Sequence, residues 1–144
     1  MLRDNSLKLL AATLAMLCVH GAPLQADDLE KFLEKLSSDD KEVRYEARLS
    51  AGPHGASAVA PLVKLMAEGP REVAISALRA LEILVHYAGH PSRTDEARAV
   101  GHALAGQLTA DASQKVKLEL LTLISFIGQD PIVGAVAKIG RAHV

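Results

Sequence analysis

Apolar residues recur along this chain at helical spacing, and no stretch alternates with period two over strand length. Between residues 70 and 88, Val73, Ala77, Leu81, Leu84, Val85 and Ala88 share one helical face, with Ile75, Leu78 and Ile83 beside it. Residues 112–127 repeat the arrangement with Val116, Leu120, Leu123, Ile124 and Ile127, flanked by Leu118, Leu121 and Phe126. Helices this apolar around their circumference are expected to be sandwiched between neighbours.

Start and stop signals divide the chain. Asp39 with Glu42, and Asp111 with Gln114, read as capping boxes. Pro70 is placed at a first helical position, and Thr94 reads as a cap followed by two carboxylates that favour the helix dipole. Gly52-Pro53, Gly89 and Gly128 read as stops. The expected helices cover 27–37, 39–51, 56–67, 70–88, 95–109 and 112–127, and Asp130-Pro131 opens a seventh.

The helices repeat. Setting Val43 on Val73 and Val116 superposes Ala47, Ala77 and Leu120. The offsets are 30 residues from Val43 to Val73 and 43 from Val73 to Val116, the surplus falling near "HYAGHPSRT". The preceding helices align as well, Leu62 on Leu104 and Met66 on Leu108. A two-helix unit at this period predicts an all-α fold, an α-solenoid of antiparallel helix pairs with about three repeats and the start of a fourth.

Composition agrees with that architecture. Of the 144 residues 49% are hydrophobic but only 3% aromatic, so the core must be built from Ala, Leu and Val. That suits closely stacked helices better than a β-sandwich. A net charge of −1, with basic residues spread among acidic ones, offers no case for nucleic acid.

The first 26 residues read as a secretory signal peptide: Arg3 and Lys8, an apolar run from Leu9 to Val19, then Gly21, Pro23 and Ala26 before Asp27-Asp28. Cleavage is expected after Ala26, with Ala22 the second choice. The run is too short to span a bilayer, so no stable membrane span is expected after cleavage. Cys18 is the only cysteine, and Leu17 before it is larger than a lipidation box wants. Cleavage after Ala26 leaves a mature chain without disulfide, thiolate metal site or thioether-linked haem. The expected location is periplasmic or extracellular.

The stretch "LSSDDKEVRYEA" resembles the inner-helix signature of HEAT repeats, in the short bacterial form also called phycobilisome-lyase-type. Pro61 in "VAPLVKLM" stands where the outer helix of that family often carries proline. The resemblance covers residues 27 to about 137. It implies a ladder between an Asp in each turn and a basic residue on each inner helix. Arg44 and Lys117 match the basic position, Ala74 does not, and Asp111 lies near the acidic one. The family resemblance also implies a scaffold that binds protein partners. A bilin-lyase-like role is an alternative, opposed by the export signal.

No catalytic constellation stands out. His86 and His90 are four apart, but Gly89 and Pro91 break the helix around them, and no carboxylate sits at ligand spacing to make a metal site with them or with His102. His54 reads as a turn residue. Asp39, Asp40 and Glu42 are explained by capping, without calcium. Ser50, Ser57 and Ser76 lack a His and Asp in any recognisable motif, and no G-x-S-x-G occurs. The expectation is therefore no enzyme, no cofactor and no metal, but a protein-binding face along the inner helices. Its rows are Glu46, Ser76 and Glu119, and Leu49, Arg79 and Thr122, with Glu82 near the second. Glu46, Arg79, Glu82 and Glu119 are the expected contact residues.

The end of the chain carries one more expectation. Residues 138–144, "KIGRAHV", read as a translated short-read sequencing adapter, so this tail is expected to be non-native. The chain would then be the N-terminal part of a larger exported protein or enzyme, its helix from Asp130 the first half of a fourth repeat.

Overall fold

The computed structural model describes residues 22–109 and 111–127. The described residues form six α-helices and a 3-10 segment, with no strand among them. These are α1 (Ala22–Leu36), α2 (Lys41–Leu49), the 3-10 segment (Gly52–Ala58), α3 (Val59–Glu68), α4 (Arg71–Ala88), α5 (Thr94–Gly106) and α6 (Gln114–Ile127). The signal-peptide apolar run, the helix expected from Asp130 and the tail 138–144 lie outside the described residues. The chain divides into two compact units, Met1–Lys31 and Phe32–Val144, with the boundary inside α1. In the first unit, Asp27, Asp28, Glu30 and Lys31 are exposed on α1. No helix of the described residues is long and apolar enough to cross a membrane.

Local chemistry sets the helix ends, often one or two residues from the expected ones. α1 begins at Ala22 rather than 27, because Pro23 is tolerated in a first turn, where no backbone N–H is needed. Asp40, not Asp39, caps α2: its Oδ1 accepts from the Glu42 backbone N–H at 2.8 Å. Ser38 Oγ in turn accepts from the Asp40 N–H at 3.1 Å. Pro70 is the N-cap of α4, not its first helical residue. Thr94 is the first residue of α5, and its N-cap Arg93 makes no side-chain cap bond. Ser113, not Asp111, caps α6, with its Oγ accepting from the Val116 N–H at 3.3 Å. Gly69 and Gly89 close α3 and α4, each donating its N–H to a carbonyl of the last turn, Leu65 and Val85.

The helix expected from 56 starts at Val59, preceded by the 3-10 segment. Pro53 opens that segment, and Gly55 sits inside it at φ 57, ψ −151, a conformation essentially reserved for glycine. The kink there turns the chain from α2 into α3. Gly52 is needed for a different reason. A Cβ at this position would lie 2.6 Å from Cγ of Tyr87, so the ring can lie against the backbone only where there is no side chain. The other partner of that ring is Arg93, whose guanidinium carbon is 3.7 Å from the ring centroid.

α3 and α4 pack along each other and are joined by only Gly69 and Pro70, which makes them an antiparallel pair. α4 is the hub, packing against α2, α3, the 3-10 segment, α5 and α6. Its buried residues are Val73, Ser76, Ala77, Ala80, Leu81, Leu84, Val85 and Ala88. The repeat register is visible in burial. Ala47, Ala77 and Leu120 are all buried, as are Val73 and Val116, and Leu62 and Leu104 of the preceding helices are fully enclosed. Phe32 closes the α1 end of this core by stacking on His54, ring centroids 4.4 Å apart. This arrangement is compatible with a solenoid.

Candidate functional site

The candidate site is the face of α2, α4 and α6. α4 and α6 run parallel: Arg71 and Lys115, near their starts, line one cavity, and the rings of His86 and Phe126, near their ends, lie 5.4 Å apart. Their N-terminal dipole ends therefore lie at the same end of the face.

One row of equivalent positions is apolar and exposed in all three helices. Tyr45 is 49% exposed, Ile75 43% and Leu118 57%. A second row, Leu49, Arg79 and Thr122, is exposed throughout. The expected row Glu46, Ser76 and Glu119 does not hold as a surface row, because Ser76 is buried. Glu119, by contrast, lines the cavity shared with α4 and is half-buried. The expectation that Ile75, Leu118, Leu121 and Phe126 are sandwiched is also overturned, since each is exposed.

Of the four expected contact residues, the structure joins two directly, Arg79 and Glu82. Arg79 Nη1 donates to Glu82 Oε2 at 2.7 Å, an i,i+3 pair on α4. The hydrogen bond to Glu82 and its charge hold Arg79 above its ordinary pKa, desolvation opposes weakly, and Glu119 adds a smaller raising influence. Arg79 is therefore paired within α4, and the charge of Glu119 on α6 is only a weaker influence on it. Glu46 is exposed on α2 and has no ion pair among the described residues.

Between α4 and α6 lies a groove of about 540 Å³. Met66, Ala74, Ile75, Leu78 and Val116 form its apolar wall. Arg71 and Lys115 stand at the end nearest the helix starts, and Glu119 lies one turn further along α6. The row Tyr45, Ile75, Leu118 and this groove escaped the sequence reading. The signal was available two residues beyond Val43, Val73 and Val116 in the same repeat alignment.

The remaining candidates stay apart from this face or from one another. Arg44 takes no part in a ladder between repeats: Nη1 donates to the carbonyls of Ser38 and Asp39, at 2.7 and 2.8 Å, within its own turn. His86 and His102 are exposed, and His90 Nδ1 lies 2.8 Å from Ser92 Oγ. Among the described residues no three His, Cys, Asp or Glu side chains are grouped to hold a metal. Ser57 Oγ donates to the His54 carbonyl at 2.7 Å and Ser50 Oγ to the Ala47 carbonyl at 2.8 Å, both turn-closing bonds.

No protein-family model, no curated protein and no solved structure matches this chain.

Proposed function

We propose that this chain is an exported scaffold of short HEAT-like repeats, without catalysis of its own, that holds a protein partner on the face of α2, α4 and α6. The observation that carries the reading is the row Tyr45, Ile75 and Leu118: large apolar side chains exposed at the same repeat position three times over. Isolated exposed apolar residues need no explanation, but an apolar row rimmed by charge favours contact with another protein. The rim is supplied by Glu46, Arg79, Glu82 and Glu119. Shared burial at Ala47, Ala77 and Leu120 supports the repeat register and hence the HEAT-like reading. The pattern of Arg3, Lys8, the apolar run to Val19 and Ala26 supports export.

The test exchanges the ion pair. In Arg79→Glu/Glu82→Lys the i,i+3 pair can re-form, so helicity by circular dichroism should be unchanged. Position 79 then carries a negative charge beside Glu119, and the charge pattern of the face is inverted. Tagged wild-type chain should co-purify a defined protein from periplasmic extract, and the exchanged variant should lose it. Undiminished capture by the exchanged variant removes this face from the interaction.

A further inference from the structure

The charges of the groove between α4 and α6 are unevenly placed. Arg71 and Lys115 are exposed at one end, and neither side chain has an ion pair or hydrogen bond among the described residues. Two parallel helix N-termini add positive partial charge at the same end. Glu72, next to Arg71, is exposed but does not line the groove. Further along, the one charged lining residue among the described residues is Glu119, and Arg79 beyond the groove is already paired with Glu82. Opposite Glu119 the wall is apolar, formed by Ala74, Ile75 and Leu78 of α4.

We infer that this groove takes an acidic-apolar peptide segment of a partner protein, its side-chain carboxylates at Arg71 and Lys115 and its next apolar residues against Ile75 and Leu78. The inference deepens the scaffold reading and rests on it. The complementarity is directional. Free cations at one end attract carboxylates, the apolar α4 wall accepts branched side chains, and Glu119 opposite that wall disfavours acidic residues there. A segment with the opposite charge finds its cationic end against unpaired Arg71 and Lys115 and loses on that contact. Blocked chain ends suffice, because the anion comes from side chains.

The experiment titrates the full chain into fluorescein-labelled peptides with both ends blocked, read by anisotropy. One peptide carries glutamates followed by leucines, one has lysine for each glutamate, and one has the order reversed. The acidic peptide should bind, with the lysine peptide weaker by roughly tenfold or more. Arg71→Glu/Lys115→Glu should reduce acidic-peptide affinity by a similar factor and raise that of the lysine peptide. Both residues are exposed, so circular dichroism should be unchanged. Ile75→Asp should weaken the acidic peptide independently, and added salt should weaken it as the Arg71 and Lys115 contacts are screened. Equal affinity for the acidic and lysine peptides, no change in the double charge reversal, or no binding of any peptide overturns the inference. If those results accompany loss of the native partner in Arg79→Glu/Glu82→Lys, the groove inference falls and the scaffold reading stands. If that exchange also leaves capture intact, the scaffold face itself is wrong.

Discussion

Leu78 of α4 is half-buried, whereas Leu121, its equivalent in α6, is 41% exposed. The same contrast separates half-buried Ile83 from Phe126 at 58%, and Ile75 at 43% from Leu118 at 57%. The side chains are alike, so the difference comes from their surroundings. α4 has α2 on one flank and α6 on the other, whereas α6 packs on α3, α4 and α5. A residue's burial in a stacked array is a property of the stack more than of its helix. Where the stack ends among the described residues, an apolar side chain that would be wall becomes surface.

The largest expected effects lie in the shared core. Leu81 is fully enclosed, while its equivalent Ile124 retains 7% exposure. Leu81→Ala should cost roughly 2–5 kcal/mol in urea unfolding, and Ile124→Ala should fall toward the lower end of that range. A greater loss at Ile124 breaks the distinction between an inner and a flanking helix.

A smaller effect isolates what fastens the C-terminal end of α4. In Gly52→Ala the new Cβ meets the Tyr87 ring at 2.6 Å, while Arg93 occupies a position 3.7 Å from the ring centroid. The ring must move, at a cost of about 1–3 kcal/mol, measured as a lower Tm. Gly106→Ala is the control: nothing lies within 4 Å of its Cβ position, and helix propensity predicts a gain of up to about 1 kcal/mol. Equal behaviour of the two glycines would show that Tyr87 is not a fixed point of the fold.

The most discriminating pair has the smallest effects. Leu78→Ser should cost about 1 kcal/mol, a fraction of full leucine burial, whereas Leu121→Ser should be neutral within about 0.5 kcal/mol. If Leu121→Ser costs as much as Leu78→Ser, another surface covers α6 in solution, and sedimentation of the wild-type chain should then show a larger species.

The existence of the six helices was legible because the signals are local. Apolar spacing of 3.6 residues, glycines at Gly69 and Gly89, and oxygens able to cap at Asp40 and Ser113 act within a turn or two of chain. Their locality also explains the small errors at the ends. Asp39 and Asp40 can both cap, and the choice between them depends on Ser38 and Arg44 bonding to the turn. The 3-10 segment was harder to read, because "GPHGASA" is compatible with a loop or a helix start until the φ of Gly55 is known. Of the site, the Arg79–Glu82 pair follows from i,i+3 spacing on one helix.

By itself, the sequence determined an all-helical chain and the register in which its helices correspond, since both are written in periodicity and capping. The sequence also marked the main buried face of α4 and α6, but tertiary structure alone decided which of the flanking apolar residues lie inside. It buried Ser76 and left Ile75 beside it 43% exposed, an inversion of hydropathy that only the flanking helices impose. It also brought Glu119 of α6 into the electrostatic range of Arg79, although the two are far apart along the chain. The physical reason is that caps and periodicity act over a few residues, whereas burial and charge proximity depend on every helix that packs alongside.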